Sequence, residues 1–246
     1  MTDILNLIKD RQSSRVPFDA NRKINKEDLQ KILEAGSWAP TAHNMQNFEI
    51  MVVDDKKIMD KIANIKQPIS LTFIKENYNQ LSFSVEELKK RKTGVLGTMF
   101  PPSWRNPDVT MEDIMKDNHG QNDHNQMMDT PLLLMVLYDP KRRAPASEGD
   151  FLGIMSLGCM MENMWLMASS LGIGFHVVSS LSEGNIEKEI KKMLNIPDHL
   201  MIAISYRLGY PVKPYKYLRV RRDIDDFCHF NNYNTKRIET LVSASI

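Results

Sequence analysis

Two arginines and a serine stand at alternate positions near the start of the 246-residue chain: Arg11, Ser13 and Arg15. Alternate side chains of an extended backbone share a face, so the three are expected to point together. Two guanidinium forks and a hydroxyl form a donor set suited to a phosphate monoester. A second alternating cluster, Arg219-Val-Arg221-Arg222, lies near the other end. The two clusters either converge on one anion or are separate solvated patches, and spacing alone leaves both open. A third segment, Ala39-Pro40-Thr41-Ala42-His43-Asn44-Met45-Gln46, leaves a helix and enters a strand. Its small and amide side chains suit hydrogen bonding to a planar heterocycle or a ribityl-like chain; taken alone it is equally an ordinary turn.

Other chemistries are excluded by pattern. Gly172-Ile-Gly174 lacks a third glycine and precedes a strand instead of following one, so a Rossmann dinucleotide site is not expected. There is no P-loop, no H-E-x-x-H and no G-x-S-x-G. His119 and His124, with Asp117 and Asp123, sit in the polar run DNHGQNDHNQ and read as solvated surface. His43, His176, His199 and His229 show no ligand spacing, so no metal is expected. Lys and Arg number 32 against 31 Asp and Glu, a net charge of +1 that argues against nucleic-acid binding. Cys159 and Cys228 cannot build a disulfide scaffold, and MTDILNLIKDRQ reads as neither a signal nor a transit peptide. A cytoplasmic protein is expected.

These residues need elements to hold them. Ile4, Leu5 and Ile8 predict a short helix ending near Arg11. Asn25, with Asp28 three residues on, predicts the cap of a second helix carrying Leu29, Ile32, Leu33 and Gly36 and stopping before Pro40. Phe48 to Asp54 reads as a buried strand, and Pro131 to Asp139 as a central one. Ser84-Val-Glu-Glu87 and Thr110-Met-Glu-Asp113 are capping boxes within an irregular stretch, about 64–125, expected to be a lid or insertion. The mostly apolar run from Phe151 to Val178 has the length of a membrane span. Glu162, Asn163 and two glycines interrupt it, so a core helix over Phe151–Ser170 is expected and no membrane is. Gly174 to Ser180 and Leu200 to Pro211 are further strands, and Ser180-Leu-Ser-Glu183 is expected to cap a helix bearing Ile186, Ile190, Met193 and Leu194. The order points to one α+β domain spanning residues 1–246, with a tail after about 232.

Taken together, the segments resemble the FMN-dependent nitroreductase superfamily. Its R-x-S-x-R opening is matched by Arg11, Ser13 and Arg15, and its A-P-[ST]-x-x-N-x-Q helix end by Ala39 to Gln46. A strand like FIVV is matched by Phe48 to Val53 and L-G-[IL]-G by Leu171 to Gly174. The P-x-x-L and L-G-Y-P ending is matched by Pro197, Leu200 and Leu208 to Pro211, and the closing basic residues and H-[YF]-N by Arg219, Arg221 and His229 to Asn231. Asn47 and Phe48 stand where the family often has proline and tryptophan, and 64–125 has no evident counterpart.

The resemblance implies a mixed, mainly antiparallel sheet flanked by helices, in a homodimer with shared active sites. It implies FMN as cofactor and NAD(P)H as electron donor, with ping-pong hydride transfer to nitro-aromatic, quinone or similar small acceptors. Dehalogenation, flavin cleavage or flavin binding with little turnover are the alternatives on the same fold. Arg11, Ser13 and Arg15 with Arg219 and Arg221 would hold the FMN phosphate. Pro40, Thr41, Asn44 and Gln46 would approach the flavin from the partner subunit. Val177, Val178, Ser179 and Ser180 would pass its edge, with a backbone N–H of Ser179 or Ser180 near flavin N5. No catalytic side chain is implied.

Overall fold

A computed structural model of the chain describes residues 3–65, 71–99, 104, 106, 108–116, 130–145, 147 and 149–236. The polar run 117–126, with His119 and His124, lies outside them, as does the tail from 237. The chain divides into two compact units, one of residues 1–67 with 120–215 and one of 68–119 with 216–246.

The first unit is built on a four-stranded sheet of β1 (Phe48–Val53), β2 (Leu132–Tyr138), β3 (Gly174–Val178) and β4 (Met201–Gly209). The spatial order is β1-β2-β4-β3, and every pairing is antiparallel. All seven residues of β2 are buried, as its unbroken apolar run predicts for a central strand covered on both faces. β1 corrects the expectation of a buried strand. Among the described residues it is an edge strand, and only its Val53 is fully buried.

One face of the sheet, with Leu134, Val136, Phe175, Tyr206 and Leu208, packs against helices α2 (Lys26–Ser37) and α4 (Phe151–Ser170). The other, with Leu133, Met135, Leu137 and Ile202, packs against α3 (Lys56–Ala63) and α5 (Gly184–Leu194). α2 starts where its cap predicts: Asn25 Oδ1 accepts from the Asp28 backbone N–H at 2.7 Å. It comes close to α4 because Gly36 has no side chain, and a Cβ there would lie 2.9 Å from Met164 Cγ.

By length and composition α4 could cross a membrane, yet Leu157, Met160, Met164, Trp165 and Ala168 are buried in the core. Asn163 Nδ2 donates to the Ala35 carbonyl at 3.1 Å. It is therefore a core helix, but not one buried all round. Phe151 (66% exposed), Leu152, Ile154 and Met155 face outward, as do Ile4, Leu5 and Ile8 of α1 (Ile4–Asp10). The expected cap at Ser180–Glu183 is also corrected. Residues 180–182 form a 3-10 turn, and α5 begins at Gly184 with no side-chain cap. One turn further on, Glu187 Oε1 accepts from the Ile202 N–H at 2.8 Å and ties the helix to β4.

The second unit carries helices Leu71–Leu81, Val85–Arg91, Met111–Lys116 and Ile224–Phe227, and a parallel pair of two-residue strands, Ser82–Phe83 and Val95–Leu96. Both predicted capping boxes form: Ser84 Oγ accepts from Glu87 N at 3.2 Å and Thr110 Oγ1 from Asp113 N at 3.2 Å. Ile74, Val109 and Ile114 make its core. Lys92 pairs with Asp223 and lies 3.8 Å from Asp226, joining residues far apart in sequence.

Candidate functional site

Residues 13–18 run alongside the β3–β4 end of the sheet, with a tight turn in which the Arg15 N–H donates to the Ser13 carbonyl at 3.1 Å and a bend at Val16. Ser14, Val16 and Phe18 are buried, whereas Ser13 is partly exposed and Arg15 and Pro17 are exposed. Burial alternates from Ser14 to Phe18 and leaves Arg15 exposed, but the turn at 13–15 replaces the extended backbone expected there. The inward residues anchor it. Ser14 N–H donates to the Phe175 carbonyl at 2.9 Å, Ser14 Oγ accepts from Phe175 N–H at 3.1 Å, and the same hydroxyl meets Tyr215 Oη. Phe18 bridges to Pro211, and Asp19 N–H donates to the Tyr210 carbonyl at 2.9 Å.

Phe18 needs two glycines. Gly174 and Gly209 are cross-strand partners, and a Cβ on Gly174 would lie 2.5 Å from Phe18 Cε1. One on Gly209 would lie 2.7 Å from Phe18 Cβ. The glycines of Leu171–Gly174 and Leu208–Pro211 thus open a slot for one aromatic ring.

The next cross-strand pair on the same face is His176 and Arg207. Arg207 is wholly buried; its Nε donates to His176 Nδ1 at 3.2 Å, its Nη2 to the Val16 carbonyl at 3.4 Å, and its guanidinium lies 4.9 Å from the Phe18 ring. An arginine only donates, so Nδ1 is the acceptor and the neutral ring carries its proton on Nε2. Burial first, then the charges of Arg207 and Arg15, hold the His176 pKa down to about 3. Sequence reasoning missed this pair. The available signal was one arginine inside the otherwise uncharged strand LMIAISYRLG.

Arg11 behaves differently from Ser13 and Arg15. It closes α1, its Nε lies 3.0 Å from Glu162 Oε1, and its guanidinium sits 4.4 Å above the Trp165 ring. It lines a groove of about 700 Å³ with Gln12, Ser14, Gly174 and Tyr215, whereas Ser13 and Arg15 do not line that groove. Arg219, half-buried, and Arg221, exposed, belong to the second unit, where Arg221 Nη1 donates to the Val220 carbonyl at 2.7 Å.

The loop from Pro40 to Gln46 is strained. His43, Asn44 and Gln46 have φ of 52°, 52° and 44°, the left-handed region that residues with a Cβ seldom adopt. Such strain persists only when its surroundings impose it. Thr41 Oγ1 accepts from Gln46 N–H at 3.1 Å, and Asn44 Oδ1 from Gln46 Nε2 at 3.1 Å. Ser156 of α4 accepts from Ala42 N–H at 3.2 Å, and Asn47 packs against Gly153, where a Cβ would lie 2.7 Å from Asn47 Nδ2. His43, Asn44 and Gln46 are left exposed. At the end of β3, Val177 and Val178 are half-buried, Ser179 is exposed and Ser180 is partly exposed. Among the described residues no group of three or more His, Cys, Asp or Glu is placed to hold a metal.

The geometry thus offers an outward Ser13/Arg15 donor pair, a strained amide-rich loop, and a buried cation behind the first. A model of the Nitroreductase family matches residues 8–210. A curated relative, the NADPH-dependent oxidoreductase of Staphylococcus aureus strain USA300, is 20% identical over 235 residues, covering 95% of this chain and 75% of its own. Among solved structures, a nitroreductase with bound FMN from Desulfitobacterium hafniense DCB-2 superposes with a TM-score of 0.57 at 19% identity, covering 94% of this chain and 100% of that one. An FMN-dependent nitroreductase from Clostridium difficile R20291 gives 0.56 at 18% identity, covering 93% and 99%.

Proposed function

The chain belongs to the nitroreductase family, and from that premise we propose that it is an FMN-dependent NAD(P)H oxidoreductase acting on nitro-aromatic, quinone or similar electron-poor acceptors. The observation that carries the reading is the segment anchored through Ser14, which leaves Ser13 partly exposed and Arg15 exposed beside it. That donor set fits a phosphate monoester, since Arg15 offers a planar fork and Ser13 a rotatable hydroxyl. Ser13 and Arg15 hold the phosphate end. Arg11 joins them in the proposal; its Nε lies 3.0 Å from Glu162 Oε1. Arg219 and Arg221 are added from the sequence motif alone.

Thr41, Asn44 and Gln46 supply amide and hydroxyl groups on a loop that fastens itself, so they meet a ligand without first being ordered. Pro40 ends the preceding helix and sets the loop's entry. Val177 and Val178 offer an apolar edge, and Ser179 and Ser180 follow directly where the strand ends. FMN, when bound, supplies the redox chemistry between NAD(P)H and the acceptor, so no side-chain nucleophile is required.

The functional unit is a homodimer with shared active sites. Its support is the exposed apolar side chains of Ile4, Leu5 and Ile8 on α1 and of Phe151, Leu152, Ile154 and Met155 on α4, which a partner subunit would cover. The strained loop rests on the same end of α4, through Ser156 and Gly153.

The purified protein is expected to be yellow, to release FMN and not FAD, and to oxidise NAD(P)H faster when a nitro-aromatic is added. A colourless protein that cannot be reconstituted with FMN would sink the reading. Arg15→Ala is expected to weaken FMN binding by about 1.5–3 kcal/mol, the range for a hydrogen bond to a charged group. Light scattering is expected to give a dimer.

A further inference from the structure

Ser13 stands between two residues that hold the same tyrosine. Gln12 Nε2 donates to the Tyr215 carbonyl at 2.9 Å, and the Ser14 hydroxyl is hydrogen-bonded to Tyr215 Oη. The partners are 203 and 201 positions apart in sequence, so both ties are made by the fold and neither by local structure. Ser14 is also the centre of the tight turn in which Arg15 N–H donates to the Ser13 carbonyl. A three-residue turn has one central residue, whose setting decides how its two neighbours are presented. That residue is wholly buried, and a buried hydroxyl is tolerated where its hydrogen bonds are made. Ser14 Oγ meets both Phe175 N–H and Tyr215 Oη. The strand beside it leaves little slack, since a Cβ on Gly174 would lie 2.9 Å from Ser14 Oγ.

Tyr215 is delivered by a segment that runs back along the first. Asp19 N–H donates to the Tyr210 carbonyl, Phe18 bridges to Pro211, and Val212 N–H donates to the Pro17 carbonyl at 3.2 Å. Pro214 has no N–H to offer this pairing, and its fixed φ stiffens the approach to Tyr215. At Tyr215 the side chains of Gln12 and Ser14 make the ties.

We propose that Tyr215 is a positioning residue for the anion site: by holding Gln12 and Ser14 on either side of Ser13, it sets the 13–15 turn so that Ser13 and Arg15 meet one phosphate. It acts through those two residues and not on the ligand. The inference rests on the proposed reading of Ser13 and Arg15 as phosphate ligands.

The test separates phosphate recognition from general stability. The full-length chain, stripped of flavin, is titrated with FMN and separately with riboflavin, which lacks the phosphate, and both affinities are read from flavin fluorescence. Tyr215→Phe keeps the ring and the carbonyl and removes only the hydroxyl. It is expected to lower the ratio of FMN to riboflavin affinity by about fivefold, the scale of one hydrogen bond between neutral groups. Equal losses for the two flavins, or no loss, would overturn the positioning role. Ser14→Ala is expected to lower the ratio similarly, and the double variant no more than the larger single one, because the two hydroxyls act as a unit. Additive losses would show that Tyr215 works by another route and would also overturn the proposal.

If Tyr215→Phe fails to fold, Gln12→Leu carries the test. It removes the amide tie, leaves the hydroxyl pair, and is expected to lower the same ratio by about threefold. An unchanged ratio there would overturn the proposal. Arg15→Ala serves as the control. If it leaves the ratio unchanged, the phosphate assignment itself falls, and the role of Tyr215 with it. If it lowers the ratio while Tyr215→Phe does not, only the role of Tyr215 falls.

Discussion

The two faces of the four-stranded sheet are both buried, but they are made of different chemistry. Under α2 and α4, Trp165 stacks on Phe175 with centroids 5.2 Å apart, and Phe175 meets Tyr206 at 4.7 Å. Such a face is what apolar transfer selects, at roughly 25 cal/mol for each Å² removed from water. On the opposite face, at the β3–β4 end, the residues are Arg207, His176 and the buried Ser205. Burial of a cation is not selected by stability alone. The polar end of one face lies against the segment that carries Ser13 and Arg15, through the Arg207 contact with the Val16 carbonyl. The strained loop at 43–46 teaches the same lesson on the surface, because local rules give way where geometry has another task.

The sharpest break of this comparison is Arg207→Met against Tyr206→Phe, neighbours in sequence on opposite faces. Arg207→Met leaves His176 Nδ1 and the Val16 carbonyl unpaired and is expected to cost about 3 kcal/mol or more in urea denaturation, at the 1–3 kcal/mol typical for each stranded group. A loss below about 1 kcal/mol would mean that the polar end is ordinary packing.

The next effect is on acid stability. His176 is neutral in the fold to about pH 3, whereas in the unfolded chain it takes up a proton as pH falls through 6.5. Its contribution is therefore complete above pH 6.5, is lost between 6.5 and about 3, and changes no further below that. The loss amounts to about 1.4 kcal/mol for each pH unit within that window, or about 2 kcal/mol between pH 6.5 and 5. His176→Gln keeps an acceptor for Arg207 and is expected to remove this slope. Parallel stability–pH curves for the two proteins would show that the imidazole is not shielded.

Relief of the loop strain is smaller and opposite in sign. Asn44 is held at φ 52°. Asn44→Gly is expected to stabilise the fold by up to about 1 kcal/mol, since glycine meets no Cβ penalty there and gives back part of the gain as unfolded-state entropy. The same variant is expected to weaken FMN binding, because a proposed amide contact is gone. Greater stability with unchanged flavin affinity would leave Asn44 without a role in the site.

The smallest effect belongs to Tyr206→Phe. The Tyr206 hydroxyl is buried, has no hydrogen-bond partner among the described residues, and its pKa is pushed up by that burial. Its removal is expected to change stability by less than about 0.5 kcal/mol or to raise it. A loss above 1 kcal/mol in thermal unfolding would reveal a bound water or ligand atom on the apolar face.

Much of the framework was legible residue by residue. The caps at Asn25, Ser84 and Thr110 are local hydrogen bonds between neighbours in sequence, so their pattern carries their structure. The run Leu132–Tyr138 announces a central strand because only a strand covered on both sides tolerates seven apolar residues without alternation. Alternation also anticipates that Arg15 is exposed between buried Ser14 and Val16, although it shows neither the turn that closes at 13–15 nor that Arg11 turns away to Glu162. The Ser180–Glu183 cap failed because α5 is tied through Glu187 to a strand whose approach no local spacing announces.

The amino-acid sequence by itself determined which segments become helix or strand, which residues turn inward, and which family motifs the chain carries, because all of these depend on neighbours within a few positions. Only the tertiary structure decided that β1 is an edge, that α4 keeps an apolar face outward, and that Phe18 lies in a slot between Gly174 and Gly209. It also decided that Arg207 reaches back 191 positions to the Val16 carbonyl. The reason is physical: a side chain's periodicity reports that it is buried, whereas its partner is set by the path of a distant strand, and a buried charge is tolerated only where that path supplies acceptors.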